Sequence, residues 1–190
     1  MNWNRKGRLL LAGSLLMLGV QVQATTLLQM DLGQLTSRAG KIFRGTVIDV
    51  EQGTVAAGGG QVPAVTYRLA VEEMVKGVPT TTKGDKAVVV LRMVGSIKAP
   101  VATGKHVRVD AFRDVPKLEM GSDYLLFTTR ESQAGLSVTV GLGQGAFRIV
   151  EMERQDYVVN EFNNVGLGLD GSGPVPYSEL SAKIRALLGK

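Results

Sequence analysis

Cysteine is absent from this chain, and its absence removes a whole group of functions. Without a thiol there can be no thiolate nucleophile, no zinc–thiolate site and no iron–sulfur cluster. Lipid attachment at a cysteine is excluded for the same reason. An exported domain of this size can fold on its hydrophobic core alone, so the lack of disulfides does not argue against export.

Histidine is almost as scarce, since His106 is the only one in 190 residues. A Ser-His-Asp site would also need a nucleophile elbow, and the sequence contains no Gly-x-Ser-x-Gly motif. A metal site with one histidine would have to take its other ligands from carboxylates. Because Lys105 and Arg108 flank it closely, we interpret His106 as an exposed loop residue. The sequence therefore predicts no catalytic residue, no metal site and no cofactor.

The first 24 residues have the three-part layout of a secretory signal. Three basic residues lie within the first eight positions, and the uncharged apolar run Leu9–Val20 follows them. That run is too short for a stable membrane span, and small residues precede the predicted cleavage after Ala24. A buried N-terminal helix is the alternative interpretation. We expect an exported protein, periplasmic or extracellular, with no membrane span after the signal is removed.

Positive charge and aromatic residues are also scarce once the signal is set aside. The signal contains three of the 22 basic residues and none of the 17 acidic ones, which leaves a net charge of +2. So small a charge gives no strong field to attract a polyanion. The only tryptophan leaves with the signal, and the other aromatic residues mostly lie within apolar strand patterns, where they would be core and not base-stacking surfaces. Nucleic-acid binding is therefore not expected.

Hydrophobic periodicity predicts strands flanked by two helices. Asp31 is the expected N-cap of a short helix ending at Ala39, and residues 178–188 form a second, amphipathic helix. Gly53–Pro63 is interpreted as a flexible hairpin connection, and residues 105–112 as a strand or a loop. No βαβ alternation is present, which favours an antiparallel barrel or sandwich. The predicted strands cover residues 41–51, 65–74, 87–94 (a central strand), 124–128, 136–140 (paired with 124–128) and 146–152.

Four short motifs occur in order behind a short helix: Gly45-Thr46-Val47, Tyr67-x-x-x-Val71, Lys76-Gly77 and Gly121-x-x-Tyr124-Leu125-Leu126-Phe127. This order resembles a known family, the netrin-like domains and tissue inhibitors of metalloproteinases. The resemblance covers about residues 31 to 130 and is closer still to cysteine-free exported bacterial relatives.

This resemblance implies an all-β, mainly antiparallel fold: an OB-like barrel of five to seven strands with a short N-terminal and a C-terminal helix. The domain would cover residues 25–165, followed by a Gly/Pro-rich loop at 166–177 and the helix at 178–190. The family's inhibitors chelate the protease zinc through a mature N-terminal cysteine. Here Thr25 and Thr26 occupy that place, so inhibition is an alternative that would depend on the free amine of Thr25.

The sequence Gly141-Leu142-Gly143-Gln144-Gly145 is the other candidate binding feature. A dinucleotide fingerprint needs a helix after the glycines, but Ala146–Val150 is strand-like. We therefore interpret this segment as a sharp strand connection or a bulge, and its place in the chain fits the mouth of the expected barrel. Gly141, Gly143 and Gly145 are nevertheless a place where a partner could approach the backbone closely.

Carboxylates offer the last candidate chemistry. Glu151, Glu153 and Asp156 lie near Arg154, while residues 170–173 faintly resemble a calcium loop that Pro174 and Pro176 interrupt. Solvated surface charge is the simpler explanation. We predict a non-catalytic binding module whose partner is an extracytoplasmic protein or peptide; a protease inhibitor and an unrecognised carboxylate hydrolase are the alternatives.

Overall fold

The computed structural model describes residues 28–97 and 115–190, and these residues form one antiparallel sheet with two helices. His106, Thr25, Thr26 and the segment 105–112 lie outside the described residues. In chain order the elements are α1 (Leu32–Arg38), β1 (Lys41–Ala57), β2 (Gly60–Lys76), β3 (Thr81–Lys83), β4 (Lys86–Val94), β5 (Asp123–Thr128), β6 (Ala146–Met152), β7 (Gln155–Asn160), β8 (Val175–Pro176) and α2 (Tyr177–Leu187).

The sheet has eight strands in the order β3-β4-β2-β1-β5-β6-β7-β8, and each neighbouring pair is antiparallel. The predicted antiparallel all-β class is confirmed, but the order has two ends, so these strands do not form a closed barrel. The expected strand at 136–140 is reduced to a single bridge between Thr128 and Thr139. One hydrogen bond, from the Ser137 amide to the Arg92 carbonyl at 2.9 Å, joins this segment to β4.

Both faces of the sheet are covered by apolar side chains. On β5, Leu125 and Phe127 point into one cluster while Tyr124 and Leu126 point into the other, which explains why the strand lacks a polar face. The first cluster lies under the helices and includes Leu35, Ile42, Phe147, Leu180 and Ile184. The second includes Phe43, Tyr67, Leu91, Met93 and Leu118.

The N-terminal helix forms as predicted. The Asp31 side chain accepts a hydrogen bond from the Gln34 amide at 2.7 Å, and the Gln34 side chain accepts one from the Asp31 amide. This reciprocal capping box satisfies two backbone donors at the helix start. Leu35 and Ala39 are buried, as the predicted apolar face requires, and α2 packs its Leu180 and Ile184 into the same cluster.

The β1–β2 hairpin is much longer than predicted. Instead of an eleven-residue flexible connection, the chain reverses at Gly58 and Gly59 alone, and both have positive φ. Two-residue turns of this kind match the twist of antiparallel strands. The two strands approach each other closely at Gly45, because a Cβ there would lie 2.6 Å from the Ala70 carbonyl oxygen.

One further prediction needs correction, and one strand was not predicted. The run Ala87–Val94 is not central, since β4 lies next to the three-residue β3 at one end of the sheet. The sequence did not predict β7, because a charged residue interrupts the alternation of Gln155–Asn160. The strand also follows β6 after a turn of only two residues. Glu153 and Arg154 form that turn, both with positive φ.

No helix within residues 28–97 and 115–190 is long and apolar enough to cross a membrane.

Candidate functional site

Gln144 holds the segment before α1 against the body of the protein. Its side-chain oxygen accepts a hydrogen bond from the Met30 amide at 2.7 Å, and its side-chain nitrogen donates to the Leu28 carbonyl at 2.9 Å. The Gln144 side chain is only 4% exposed, so both of these bonds are at least partly buried. The Gln144 amide group bonds to residues 28–30 in the way that a neighbouring strand would. It thereby fixes the position of these three residues against the body of the protein.

The three glycines of the predicted binding segment surround Gln144 in a short 3₁₀ turn, Leu142–Gly145. Gly143 and Gly145 are buried. A Cβ on Gly145 would lie 2.4 Å from the Val140 carbonyl oxygen, and one on Gly143 would lie 2.1 Å from the Glu161 carboxylate. These two glycines permit close packing within the protein itself, whereas Gly141 adopts the left-handed conformation that starts the turn. The turn is the sharp strand connection that the sequence predicts.

A pair of buried asparagines shapes the loop that faces Gln144. Asn160 accepts from the amides of Phe162 and Asn164 at 3.0 and 2.9 Å and donates to the Gln144 carbonyl at 3.0 Å. Asn164 donates to the carbonyls of Val158 and Gly173 at 2.8 and 2.7 Å. All of these hydrogen bonds join groups of the protein itself, so the network fixes the geometry of the loop. It also fixes the positions of the loop side chains Phe162 and Val165.

The loop side chains Phe162 and Val165 border an apolar cavity of about 280 Å³. Gln29 and Gln144 complete its lining. Phe162 is 42% exposed and Val165 51% exposed, and Leu28, whose carbonyl Gln144 binds, is 67% exposed. We name Leu28, Gln29, Gln144, Phe162 and Val165 the N-terminal patch. Exposed apolar side chains around a concavity with a few polar groups are typical of a surface that binds a partner.

The structure places the glycine segment next to the first residues that it describes. Thr25 and Thr26 lie outside the described residues, but Leu28, three positions after Thr25, is bonded directly to Gln144 within the glycine segment.

The predicted carboxylates do not gather into a site. Glu151 and Glu153 are exposed around the β6–β7 turn, whereas Asp156 binds Arg44 on β1 at 2.7 Å. No three or more Asp, Glu, His or Cys side chains in the described part of the chain are placed to hold a metal ion.

Arg44 is instead the centre of a network that attaches α2 to the sheet. It pairs with Glu72 at 2.6 Å as well as with Asp156, and its guanidinium carbon lies 4.9 Å from the centre of the Tyr177 ring. Burial alone would lower the pKa of Arg44, but the hydrogen bond to Asp156 and the charge of Glu72 outweigh it, so the pKa is raised and the side chain stays charged. The arrangement combines two ion pairs with a cation–π contact.

Tyr177 links the same network to β2 by donating a hydrogen bond to the Glu73 carboxylate at 2.6 Å. Burial and this hydrogen bond to a negatively charged group raise the pKa of the Tyr177 hydroxyl. Arg185 on α2 also binds Glu73, so two residues of the helix share one carboxylate.

Sequence reasoning identified the glycines but missed Gln144, Phe162 and Val165. The available signals were a single amide side chain between glycines and the cluster of asparagines before Val165 and Gly166, which is typical of tight turns. Neither signal shows that the turn meets a segment more than 110 positions away, because that contact depends on the tertiary fold.

A comparison with models of known protein families found no match. A search of curated proteins found no similar sequence. The resemblance to netrin-like domains therefore stays a prediction, and the functional argument depends on the geometry of the N-terminal patch.

Proposed function

We propose that this protein is an exported, non-catalytic binding module that holds a protein or peptide partner at the N-terminal patch. One observation carries the proposal: Gln144 fixes residues 28–30 next to an apolar cavity bordered by exposed Phe162 and Val165. Large exposed apolar side chains cost free energy in water, and a partner that covers them recovers it.

The signal-like leader supports an extracytoplasmic setting for this partner, in the periplasm or outside the cell. The total absence of cysteine is compatible with that setting, since the apolar clusters on both faces of the sheet supply a core. We propose cleavage after Ala24, which would make Thr25 the new amino terminus, three positions before Leu28.

An OB-like relationship is part of the proposal. β1 pairs with both β2 and β5, and β2 pairs with β4. The segment 136–140 bridges to β5 at Thr128 and contacts β4 through the hydrogen bond from Ser137 to Arg92. These links trace a five-membered ring whose interior is the cluster of Phe43, Tyr67 and Leu91, which supports the netrin-like resemblance.

The test is partner capture by the exported protein from its own extracytoplasmic fraction. Val165→Glu places a charge in the patch, and Val78→Glu is the matched control because Val78 is 71% exposed and lies outside it. We expect one protein to be retained by the wild type and by Val78→Glu but lost with Val165→Glu. Equal retention by both variants, or retention of nothing by the wild type, would contradict the proposal.

Inhibition of a metalloprotease through the mature amino terminus is the second candidate, and the contact with Gln144 favours it. An amine that chelates zinc has to be held in place, and the family's inhibitors use disulfides for this. Here two partly buried hydrogen bonds with Gln144 anchor the Leu28 carbonyl and the Met30 amide without any cysteine. The anchored point lies three residues from Thr25.

This candidate is separated from the first by adding one residue before Thr25. An inhibitor that depends on its free amine loses potency against a sensitive metalloprotease when the chain is extended. A binding module that uses Phe162 and Val165 keeps its partner after the same extension. The absence of inhibition by the unextended protein over a panel of metalloproteases would eliminate this alternative.

A further inference from the structure

The outer half of the β1–β2 hairpin extends beyond the rest of the sheet as a two-stranded arm. β5 pairs with β1 only over Lys41–Thr46, and β4 pairs with β2 only from Ala64 onward. Within the described residues, no other strand pairs with β1 from Asp49 to its end at Ala57. We name residues 49–63 the arm. An isolated two-stranded hairpin is marginally stable in water, and additional strands stabilise it.

The register of the hairpin shows which backbone groups face outward. Pro63 lies opposite Thr54 and has no N–H, and its carbonyl accepts from the Gly95 amide at 3.0 Å on the far side of β2. Thr54 and Pro63 therefore form a non-hydrogen-bonded pair, so the N–H and C=O of Thr54 point away from β2. By alternation the backbone groups of Gln52 and Ala56 point the same way.

In the part of the chain that the structure describes, the edge at residues 53–57 lacks the usual protection against pairing. Natural edge strands are shielded by charges, prolines or bulges. No charged residue occurs from Gly53 to Tyr67, and proline occurs only on the opposite strand. The nearest acidic side chains, Asp49 and Glu51, are both bound to Arg68 of β2.

We propose that the arm is a self-association surface, on which β1 of one copy pairs antiparallel with β1 of a second copy about a two-fold axis. Two features favour a second copy as the occupant. An antiparallel pair places Gln52 opposite Ala56 when the axis passes through Thr54, so the outward N–H and C=O groups of one copy meet complementary groups of the other. In the same register Glu51 lies opposite Ala57, and no two carboxylates face each other.

The pairing turns two marginal hairpins into one four-stranded sheet. Its three hydrogen-bonded residue pairs supply about six hydrogen bonds. The interface is isologous, as two-fold homodimers require.

Thr54→Pro tests this directly. Proline at this position removes the outward N–H but no hydrogen bond between β1 and β2, and it is tolerated at a strand edge whose N–H faces solvent. Each copy loses one intermolecular hydrogen bond, so we expect the dimer dissociation constant to rise roughly thirtyfold. Thr54→Val is the matched control, because it keeps the backbone N–H and the β-branched shape.

The measurement is sedimentation equilibrium on the protein purified after export, with circular dichroism to show that the variants retain their sheet. The proposal predicts a dimer for the wild type and Thr54→Val, and a shift to monomer for Thr54→Pro with an unchanged spectrum. A wild type that remains monomeric overturns the proposal, as does a folded Thr54→Pro variant that dimerises like the wild type. If Thr54→Pro unfolds, Thr54→Lys replaces it, because a lysine at the axis repels its copy without changing the backbone. Dimerisation of Thr54→Lys as tight as the wild type then overturns the proposal.

Discussion

Gln144 shows how one side chain joins distant parts of this chain. It lies among glycines that let it reach a buried position, and it binds both the Leu28 carbonyl and the Met30 amide. No charged group takes part, so the anchor does not depend on pH in the range where proteins normally function. The position of the N-terminal patch depends on these bonds.

Gln144→Ala should therefore destabilise the fold and release residues 28–30. The variant removes the partner of the partly buried Met30 amide, and the loss of such a hydrogen bond costs about 1 kcal/mol of unfolding free energy. Urea unfolding measures the loss, and hydrogen exchange should show faster exchange at Met30. Gln133→Ala is the control, because Gln133 is exposed and should change neither quantity. Unaltered exchange at Met30 in Gln144→Ala would show that the anchor is not formed.

Gly145 is the residue whose size matters most for the turn. Its replacement by alanine puts a Cβ 2.4 Å from the Val140 carbonyl oxygen, and backbone atoms have to move. We expect Gly145→Ala to lower the unfolding free energy by about 1–3 kcal/mol, the usual cost of overpacking. At Gly53 no atom lies within 4 Å of a built Cβ, so Gly53→Ala should be close to neutral in the same urea titration. Equal stability of the two variants would refute the close packing.

Among the elements, α2 combines apolar packing with a polar attachment. Leu180 and Ile184 enter the core under the sheet, while Tyr177 and Arg185 both bind Glu73. The apolar spacing of this helix was readable in the sequence, and so was the capping of α1. The Glu73 contacts were not, because they join residues more than 100 positions apart.

The dependence on residues that are distant in the chain also explains which strands could be predicted from the sequence. β6 has the exact bounds that its apolar alternation indicates, since local pattern and burial agree there. Leu136–Val140 has an equally good pattern but forms only one bridge, and the charged β7 forms a full ladder with β6. Pairing partners decide these outcomes, and a single sequence does not show them.

The Tyr177 contact predicts a loss of stability in alkali. Its pKa is raised in the folded protein above the ordinary value of 10, so the folded state keeps the proton longer than the unfolded state. The resulting stabilisation is complete below pH 10 and is lost as the pH rises toward the folded-state pKa. Tyr177→Phe has no such proton, so its unfolding free energy should fall less steeply above pH 10. Urea titrations at pH 8 to 11 give both slopes, and parallel slopes would contradict the prediction.

For the whole molecule, the proposed export and the proposed binding at the N-terminal patch are linked through the start of the chain. Cleavage after Ala24 would leave three residues ahead of Leu28, whose carbonyl Gln144 binds. The mainly antiparallel fold followed from the sequence, whereas the patch did not, because its members come from both ends of the chain.

Processing is checked by the intact mass of the protein recovered from the extracytoplasmic fraction. We expect the mass of residues 25–190, since the leader has a basic head, an apolar run and small residues before Thr25. Ala24→Asp should block cleavage and leave the longer chain, while Thr26→Asp, beyond the cleavage site, should not. A wild-type protein that keeps all 190 residues would refute the predicted processing.

The most direct measurement of the central claim is photo-crosslinking in the exporting cell with a photoreactive residue at position 165 and, separately, at position 78. Both positions are exposed, but only Val165 belongs to the N-terminal patch. The account predicts one discrete crosslinked protein from position 165 and none from position 78. No adduct at position 165, or the same adduct at both positions, would contradict it.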